Sequence, residues 1–321
     1  MIHIAEYWIQ SLGWAILHSL WLGFAAAFFL FILLNLLKNR GAEIKYVSSV
    51  LTLVILFGSI GFIFFDEYRD RSTNVETTYE TGPAQVNPPV LPEVKISFLE
   101  QLFSRVSETW NQWIPTVVEL WFWGILLFAL RLGVGYYGLI RLSRREVQLP
   151  PEIWLTRLGQ LAKEAGIRRV VNMRISGIAD GPMTLWHLRP LILIPAGMLS
   201  GMSPDHIEAI IIHELAHIRR ADFLVNFIQT LIETVLFYHP ALWWISGRIR
   251  DLREECCDDR VLATGRDVHI YAEALTRVYA FYHSPKTMFM MSATGNNGHF
   301  TARIQRMFGI TRRTSQPGKT L

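Results

Sequence analysis

Three long apolar stretches constrain the fold more than any other feature of the sequence. They cover about residues 14–37, 46–65 and 117–140. As a helix, the first would extend over about 36 Å, which is enough for a tilted membrane crossing. Charged residues make up 18% of the chain, whereas about a quarter is usual for a soluble domain. The sequence therefore predicts a mainly α-helical membrane protein with three transmembrane helices.

Basic residues are concentrated after the first and third apolar stretches. They are Lys38, Arg40, Lys45, Arg141, Arg144 and Arg145. The region between the second and third stretches, residues 66–115, instead contains eight acidic and four basic residues. By the positive-inside rule, the N-terminus and this region lie outside the membrane, and everything after Arg141 lies in the cytosol. The alternative is the reverse orientation, which places six basic residues outside.

The external region has two parts with different sequence character. Residues 72–92 are rich in Thr, Pro, Asn and Glu, which is typical of a flexible linker. Residues 96–114 carry apolar side chains at helical spacing, which predicts an amphipathic helix. The chain therefore divides into four expected regions: a two-span hairpin (1–65), the external loop (66–115), a third transmembrane helix (116–145) and a cytosolic domain (146–321).

The cytosolic region changes to short strand and helix patterns. Alternating apolar residues and turn residues predict strands at 169–176, 183–187 and 190–195. Prolines at both ends of the last strand, PLILIP, indicate an edge strand, because proline cannot donate to a central ladder. Ser203 and Pro204 suit the N-cap and the first position of a following helix.

That helix carries the pattern H-E-x-x-H, formed by His213, Glu214 and His217. Residues four apart share one helix face, so both imidazoles can bind one metal ion while Glu214 acts as general base on a water. With 10 His in the chain, chance predicts roughly 0.02 such matches. The motif predicts one zinc ion (Zn2+) per chain, and the alternative is a helix with two buried core histidines.

A zinc site of this kind needs a third protein ligand. The downstream candidates are Asp222, Glu233, His239, Glu254, Glu255 and Asp258. Glu254 and Asp258 lie four residues apart in a predicted helix, so one can bind zinc while the other holds the ring of a histidine ligand. Glu254 is favoured as the ligand and Asp258 as the supporting acid, with Glu255 as the main rival.

Four segments resemble a known family of membrane zinc metallopeptidases, the beta-lactam-sensing and methicillin-resistance-regulating antirepressors. They are HELAHIRRADFLVN, YHPALWW, REECCDD and TARIQRMF. The resemblance implies a gluzincin-like α+β domain with a small sheet, in which Glu254 is the third ligand. It also implies a bacterial plasma-membrane protein that relays a signal by cleaving itself or a cytosolic transcriptional repressor. We do not expect the fourth span and external sensor domain of many members within these 321 residues.

The favoured function is therefore a zinc-dependent endopeptidase with Glu214 as the catalytic base. An extended substrate is expected to pair with PLILIP, through the backbone of Leu191, Ile192, Leu193 and Ile194. A second donor to the oxyanion is expected from one of three residues, His239, Tyr271 or Arg220. Expected partners are a protein or peptide substrate, membrane lipid and a second copy of the chain, and a net charge of only +4 argues against nucleic acid.

Two other functions are compatible with the same motif. The first is a signalling scaffold with a structural zinc site, in which Cys256 or Cys257 would supply a fourth ligand. The second is a protease that acts on membrane-tethered substrates, suggested by the apolar stretch of residues 223–245, which we expect to break at Pro240.

Overall fold

The protein is mainly helical, with a small mixed sheet in its downstream part. The computed structural model describes residues 2–80, 98–282 and 297–310. The described residues form two compact units. We call the first the membrane-helix unit, which comprises Met1–Lys38, Ser48–Arg131 and Ile232–Ser246. We call the second the sheet unit, which comprises Asn39–Val47, Leu132–Leu231 and Gly247–Leu321.

In the described part of the chain, three helices are long and apolar enough to cross a membrane. They are α1 (Ile2–Leu36), α2 (Ala42–Glu80) and α3 (Phe98–Arg144). Large apolar side chains along them are exposed, such as Phe28, Phe62 and Leu130. Exposed apolar surface of this kind suits contact with lipid. The predicted fold class, a mainly α membrane protein with three membrane helices and a small downstream sheet, is confirmed.

The second long helix extends further than the sequence suggested. It continues through the expected end of the span at residue 65 and reaches Glu80. Ion pairs three and four residues apart, Arg69 with Asp66 and Arg71 with Glu67, support this extension. The prediction of a flexible linker is therefore wrong for residues 72–80, and residues 81–97 lie outside the described part of the chain.

The third long helix is continuous from Phe98 to Arg144, with Pro115 inside it. The amphipathic helix expected over residues 96–114 is therefore not a separate element but the first part of α3. In α3, the buried side chain of Ile114 lies so close to Gly13 of α1 that a Cβ at that glycine would collide with it. Gly13 thus allows α1 and α3 to approach closely.

The apolar stretch of residues 223–245 breaks at Pro240, as predicted. Helix α7 (Asp222–Val235) ends before the proline, and α8 (Pro240–Leu262) begins at it, where the missing N–H of proline does no harm. The connecting residues belong to the membrane-helix unit. His239 is fully buried there, with Nε2 2.9 Å from the carbonyl oxygen of Ser19.

The sheet unit contains four strands in the order β1-β2-β4-β3. Their bounds are β1 (Val147–Gln148), β2 (Asn172–Ser176), β3 (Met183–Leu185) and β4 (Leu191–Pro195). β4 pairs in parallel with β2 on one side and antiparallel with β3 on the other. The prediction that PLILIP is an edge strand is therefore wrong. The edges are β1 and β3, which are short.

Helices pack on this sheet and on one another to form a hydrophobic core. They are α4 (Glu152–Glu164), α5 (Ala196–Gly201), α6 (Pro204–Arg219), α9 (Val268–Tyr282) and α10 (Asn297–Met307). α6 begins as predicted, with the Ser203 side chain accepting a hydrogen bond from the backbone N–H of His206. Ile207 and Ile211 of α6 pack with Ile192 and Ile194 of β4 in the core. Contacts with the sheet, α4 and α9 fix the position of α6, which carries the H-E-x-x-H motif.

Candidate metal centre

The two histidines of the motif lie together on one face of α6. Their ring centroids are 4.9 Å apart, and the ring planes are nearly perpendicular. His213 is buried and His217 is half-buried. This follows from their spacing, since residues four apart in an α-helix are adjacent on its surface.

Glu254 of α8 faces the same two rings. Its carboxylate oxygens lie 3.5 Å from Nε2 of His213 and 3.8 Å from Nε2 of His217. Two atoms bound to one tetrahedral zinc ion at about 2.0–2.1 Å lie ~3.3 Å apart. The donor atoms of His213, His217 and Glu254 all lie within 4.8 Å of one another. The spacing and the donor chemistry, two imidazoles and one carboxylate, fit a zinc ion.

The other sequence candidates for the third ligand do not join this set. Glu255 faces Arg306, 3.8 Å away, and burial raises the pKa of its carboxyl group. Glu233 and His239 belong to the membrane-helix unit. Asp222 approaches Nδ1 of His217, not the Nε2 atom that faces Glu254.

The charge of Glu254 is stabilised by its neighbours. Burial alone would raise the pKa of this carboxyl, but the neighbouring His213, His217 and Arg303 outweigh burial and lower the pKa well below its usual range. Glu254 is therefore ionised at neutral pH. A carboxylate ligand must be in this state to bind a metal.

Tyr271 of α9 connects His213 to the fully buried Asp258. The Tyr271 hydroxyl donates to Asp258 Oδ1 at 2.7 Å and lies 2.8 Å from Nδ1 of His213. Because the Tyr271 hydroxyl hydrogen is already donated to Asp258, the hydroxyl oxygen accepts a hydrogen bond from Nδ1–H of His213. The Nε2 atom of His213 is then left with a lone pair directed towards Glu254. Asp258 thus acts on the histidine mainly through Tyr271, where the sequence suggested a direct contact.

Replacing Tyr271 with Phe is expected to lower zinc affinity by about 10–100-fold, the range typical of residues that hydrogen-bond a ligand. The variant leaves Nδ1 of His213 without an acceptor and removes one donor from Asp258. Competition with a chelator measures the affinity, and Tyr279→Phe on the same helix is the matched control. Unchanged affinity in the Tyr271 variant would contradict the role assigned to this hydroxyl.

The second histidine is held by Asp222, which begins α7. Nδ1 of His217 donates to Asp222 Oδ2 at 2.8 Å, and the Cys257 sulfur lies 3.4 Å from the same nitrogen. Burial alone would lower the pKa of His217, but the hydrogen bond with Asp222 and the nearby charge of Glu254 raise it well above its usual value, so a metal ion must displace a proton when it binds. A carboxylate on Nδ1 also makes an imidazole a stronger ligand through Nε2.

Arg303 of α10 links Glu254 to Asp258. Its guanidinium lies 3.1 Å from Glu254 Oε2 and donates to both oxygens of Asp258 at 2.8 and 3.0 Å. The two bonds to Asp258 form a fork-like pair that compensates a fully buried charge. Sequence reasoning missed this residue, because it lies 45 positions after Asp258 in a segment noted only for its resemblance.

The side chain of Glu214 is oriented by a hydrogen bond from the edge strand β3. The Thr184 hydroxyl of β3 donates to Glu214 Oε2 at 2.7 Å, and only 5% of the Glu214 surface is exposed. Both residues line a cavity of about 350 Å3, together with Met183, His213 and His217. The cavity gives the histidines an open side, which a catalytic zinc site requires for water and substrate.

Three sequence-based expectations about substrate contacts are not supported. Leu191, Ile192, Leu193 and Ile194 lie in the central strand β4, whose two sides are already paired. Tyr271 and Arg220 do not line the cavity. Tyr271 bonds His213 and Asp258, and Arg220 contacts Asp222 at 3.1 Å.

Cys257 does not join the set of His213, His217 and Glu254, and its sulfur groups instead with His217 Nδ1 and Asp222. Cys257 lies on the Nδ1 side of His217, away from the Nε2 atoms that converge on Glu254. Burial raises the pKa of Cys257, and it raises the pKa of Cys256 to about 12. Both residues are therefore neutral thiols at neutral pH when no metal is bound.

The chain is similar to a known protein family and to several named proteins. The profile of the family described as BlaR1 peptidase M56 matches residues 14–307. The Regulatory protein BlaR1 of Bacillus licheniformis is 29% identical over 117 residues, which are 36% of this chain and 19% of that protein. The Methicillin resistance mecR1 protein of Staphylococcus aureus is 27% identical over 112 residues, 34% of this chain and 19% of that protein. A Protease HtpX homolog of Bacillus licheniformis is 29% identical over 114 residues, 34% of this chain and 37% of that protein.

Proposed function

Because the chain belongs to the BlaR1 peptidase M56 family, we propose that it is an integral-membrane zinc-dependent endopeptidase. The observation that carries the proposal is the convergence of His213, His217 and Glu254 beside the carboxylate of Glu214 in one open cavity. A zinc ion held by these three residues would lower the pKa of a coordinated water to about 7 and polarise a peptide carbonyl.

Glu214 is the general base of this mechanism. Its carboxylate accepts a proton from the attacking water and then delivers that proton to the leaving amine. The hydrogen bond from Thr184 to Oε2 restrains the side chain and leaves Oε1 available for the water. Asp222 and Tyr271 hold the two imidazoles in fixed orientations throughout.

The substrate lies along β3. This edge strand supplies Met183 and Thr184 to the cavity and, among the described residues, pairs only with β4. An extended peptide can add to its free side through backbone hydrogen bonds. Pairing of substrate with β3 therefore replaces the pairing with Leu191–Ile194 that the sequence suggested.

The biological role that fits best is signal transduction by cleavage of the chain itself or of a cytosolic regulatory protein. Two of the similar proteins are named as a regulatory protein and a methicillin resistance protein. The placement of basic residues after α1 and at the end of α3 supports an external N-terminus and a cytosolic sheet unit. The host membrane is a bacterial plasma membrane.

The substrate can be identified by comparing cells that express the wild-type chain with cells that express the Glu214→Gln variant. Quantitative mass spectrometry of new protein N-termini is expected to find cleavage products only with the wild type, some from this chain or from a cytosolic regulator. Identical sets of N-termini in both strains under inducing conditions would count against the proposed role. Products only from membrane-tethered proteins would favour the alternative substrate class.

A further inference from the structure

The Asp222 carboxylate has a second set of partners on the side away from the metal centre. Its Oδ2 atom accepts from His217, whereas Oδ1 lies 3.3 Å from the hydroxyl of Tyr46 and 3.1 Å from Arg220 Nη2. Asp222 is only 3% exposed. A buried carboxylate is held in one orientation by its hydrogen-bond partners, because water is not there to replace them.

Tyr46 and Arg220 also contact each other. The guanidinium carbon of Arg220 lies 4.3 Å from the centroid of the Tyr46 ring, which is the geometry of a cation–π contact. Arg220 donates in addition to the backbone carbonyl of Arg253, at 3.3 Å. Tyr46, Arg220 and Asp222 thus form a compact, largely buried group that ends on the Nδ1 atom of His217.

Tyr46 belongs to a helix that is long and apolar enough to cross a membrane. It lies in the second turn of α2, whose candidate span is Ala42–Thr73. Residues Asn39–Val47 form part of the sheet unit, and the helix continues without a break into residues of the membrane-helix unit. A helix is stiff along its axis, so a displacement of the span changes the position of Tyr46.

We propose that Tyr46 and Arg220 are positioning residues that connect α2 to the metal ligand His217 through Asp222. This proposal rests on the proposed function and adds a means of regulating it. When both partners of Oδ1 are in place, Asp222 presents Oδ2 to His217. A shift of α2 that moves the Tyr46 hydroxyl away from Oδ1 lets the Asp222 carboxylate rotate. This rotation weakens the hydrogen bond to the His217 imidazole and lowers the affinity for zinc.

The test measures zinc affinity of the purified full chain by chelator competition, so that it does not depend on peptide cleavage. Tyr46→Phe is expected to lower the affinity about 3–10-fold, less than the roughly 10–100-fold typical of a direct partner of a ligand. Arg220→Gln is expected to lower it as well, and it serves as a second variant if Tyr46→Phe folds poorly. Tyr137→Phe, at an exposed tyrosine of α3, is the matched control.

A double-mutant cycle tests whether the effect passes through Asp222. In an Asp222→Asn background, Tyr46→Phe is expected to cause no further loss of affinity, because the intermediate carboxylate is already absent. An equal loss in both backgrounds would overturn the proposal, as would unchanged affinity in both the Tyr46 and Arg220 variants. Failure of the wild type itself to bind zinc would instead contradict the proposed function.

Bilayer thickness provides a test of the connection to the span. Hydrophobic mismatch changes the tilt of membrane helices, and we expect the wild-type zinc affinity to differ by about 2-fold or more between thin and thick nanodiscs. Tyr46→Phe is expected to abolish that difference. The same affinity in both bilayers for the wild type, or the same difference in the variant, would overturn the regulatory connection.

Discussion

Glu214→Gln is expected to reduce kcat/KM for peptide cleavage by about 100- to 10,000-fold, the usual contribution of a positioned general acid–base group. Glutamine has nearly the same shape as glutamate but cannot accept a proton from water at neutral pH. The loss should appear mainly in kcat, because Glu214 acts during proton transfer and does not hold the substrate.

The same variant should retain zinc. Glu214 is not one of the three residues whose donor atoms converge, and glutamine can still accept the hydrogen bond that Thr184 donates. We expect one zinc ion per chain in both the wild type and the variant. Asp205→Asn is the matched control, since it removes an exposed carboxylate from the first turn of the same helix. Cleavage at the wild-type rate by Glu214→Gln would rule out Glu214 as the base.

Glu254→Gln is expected to lower zinc affinity by more than the roughly 100-fold upper range for an indirect partner, because it replaces a charged ligand with a neutral one. Glu254 is the only carboxylate among the described residues placed to face both Nε2 atoms. Activity should be lost together with the metal. Excess zinc should restore part of it, since the two imidazoles remain in place.

The neighbouring residue provides a matched control for this experiment. Glu255→Gln removes a carboxylate one position along the same helix, but Glu255 faces Arg306 and not the histidines. The zinc affinity of the Glu255→Gln variant should equal that of the wild type within about 3-fold. This difference is smaller than the loss expected when a residue that hydrogen-bonds a ligand is removed. If Glu255→Gln instead lost the metal and Glu254→Gln retained it, the identity of the third ligand would be wrong.

The features that depend on local spacing could be predicted from the sequence. His213 and His217 face the same way because they are four residues apart on α6, and Glu254 and Asp258 share one side of α8 for the same reason. Three apolar stretches were long enough to identify the membrane helices without any tertiary information.

The order of the strands could not be predicted in the same way. Pro195 is the last residue of β4, and the carbonyl of Pro190 accepts a hydrogen bond from Asn172 before the strand begins. At these positions the missing N–H of proline does not interrupt the ladder, so the prolines are compatible with a central strand. Which strand lies at the edge is decided by tertiary pairing.

The contacts that orient the histidines and Asp258 could not be predicted from the sequence either. Tyr271 follows His213 by 58 positions, and Arg303 follows Asp258 by 45. Such pairs form only when separate helices pack together. A single tyrosine or arginine in the sequence has no spacing pattern that would identify its partner. Asp222 was considered as a ligand because of its residue type, but its position at the start of α7 directs it to the opposite nitrogen of His217.

X-ray absorption spectroscopy of the purified zinc-loaded chain tests the central claim most directly. We expect one zinc ion per chain, with two imidazole nitrogens and additional oxygen neighbours at about 2.0–2.1 Å. His213→Ala should remove one imidazole from the spectrum. A sulfur neighbour at about 2.3 Å, or a full imidazole signal in the His213 variant, would contradict a centre built from His213, His217 and Glu254.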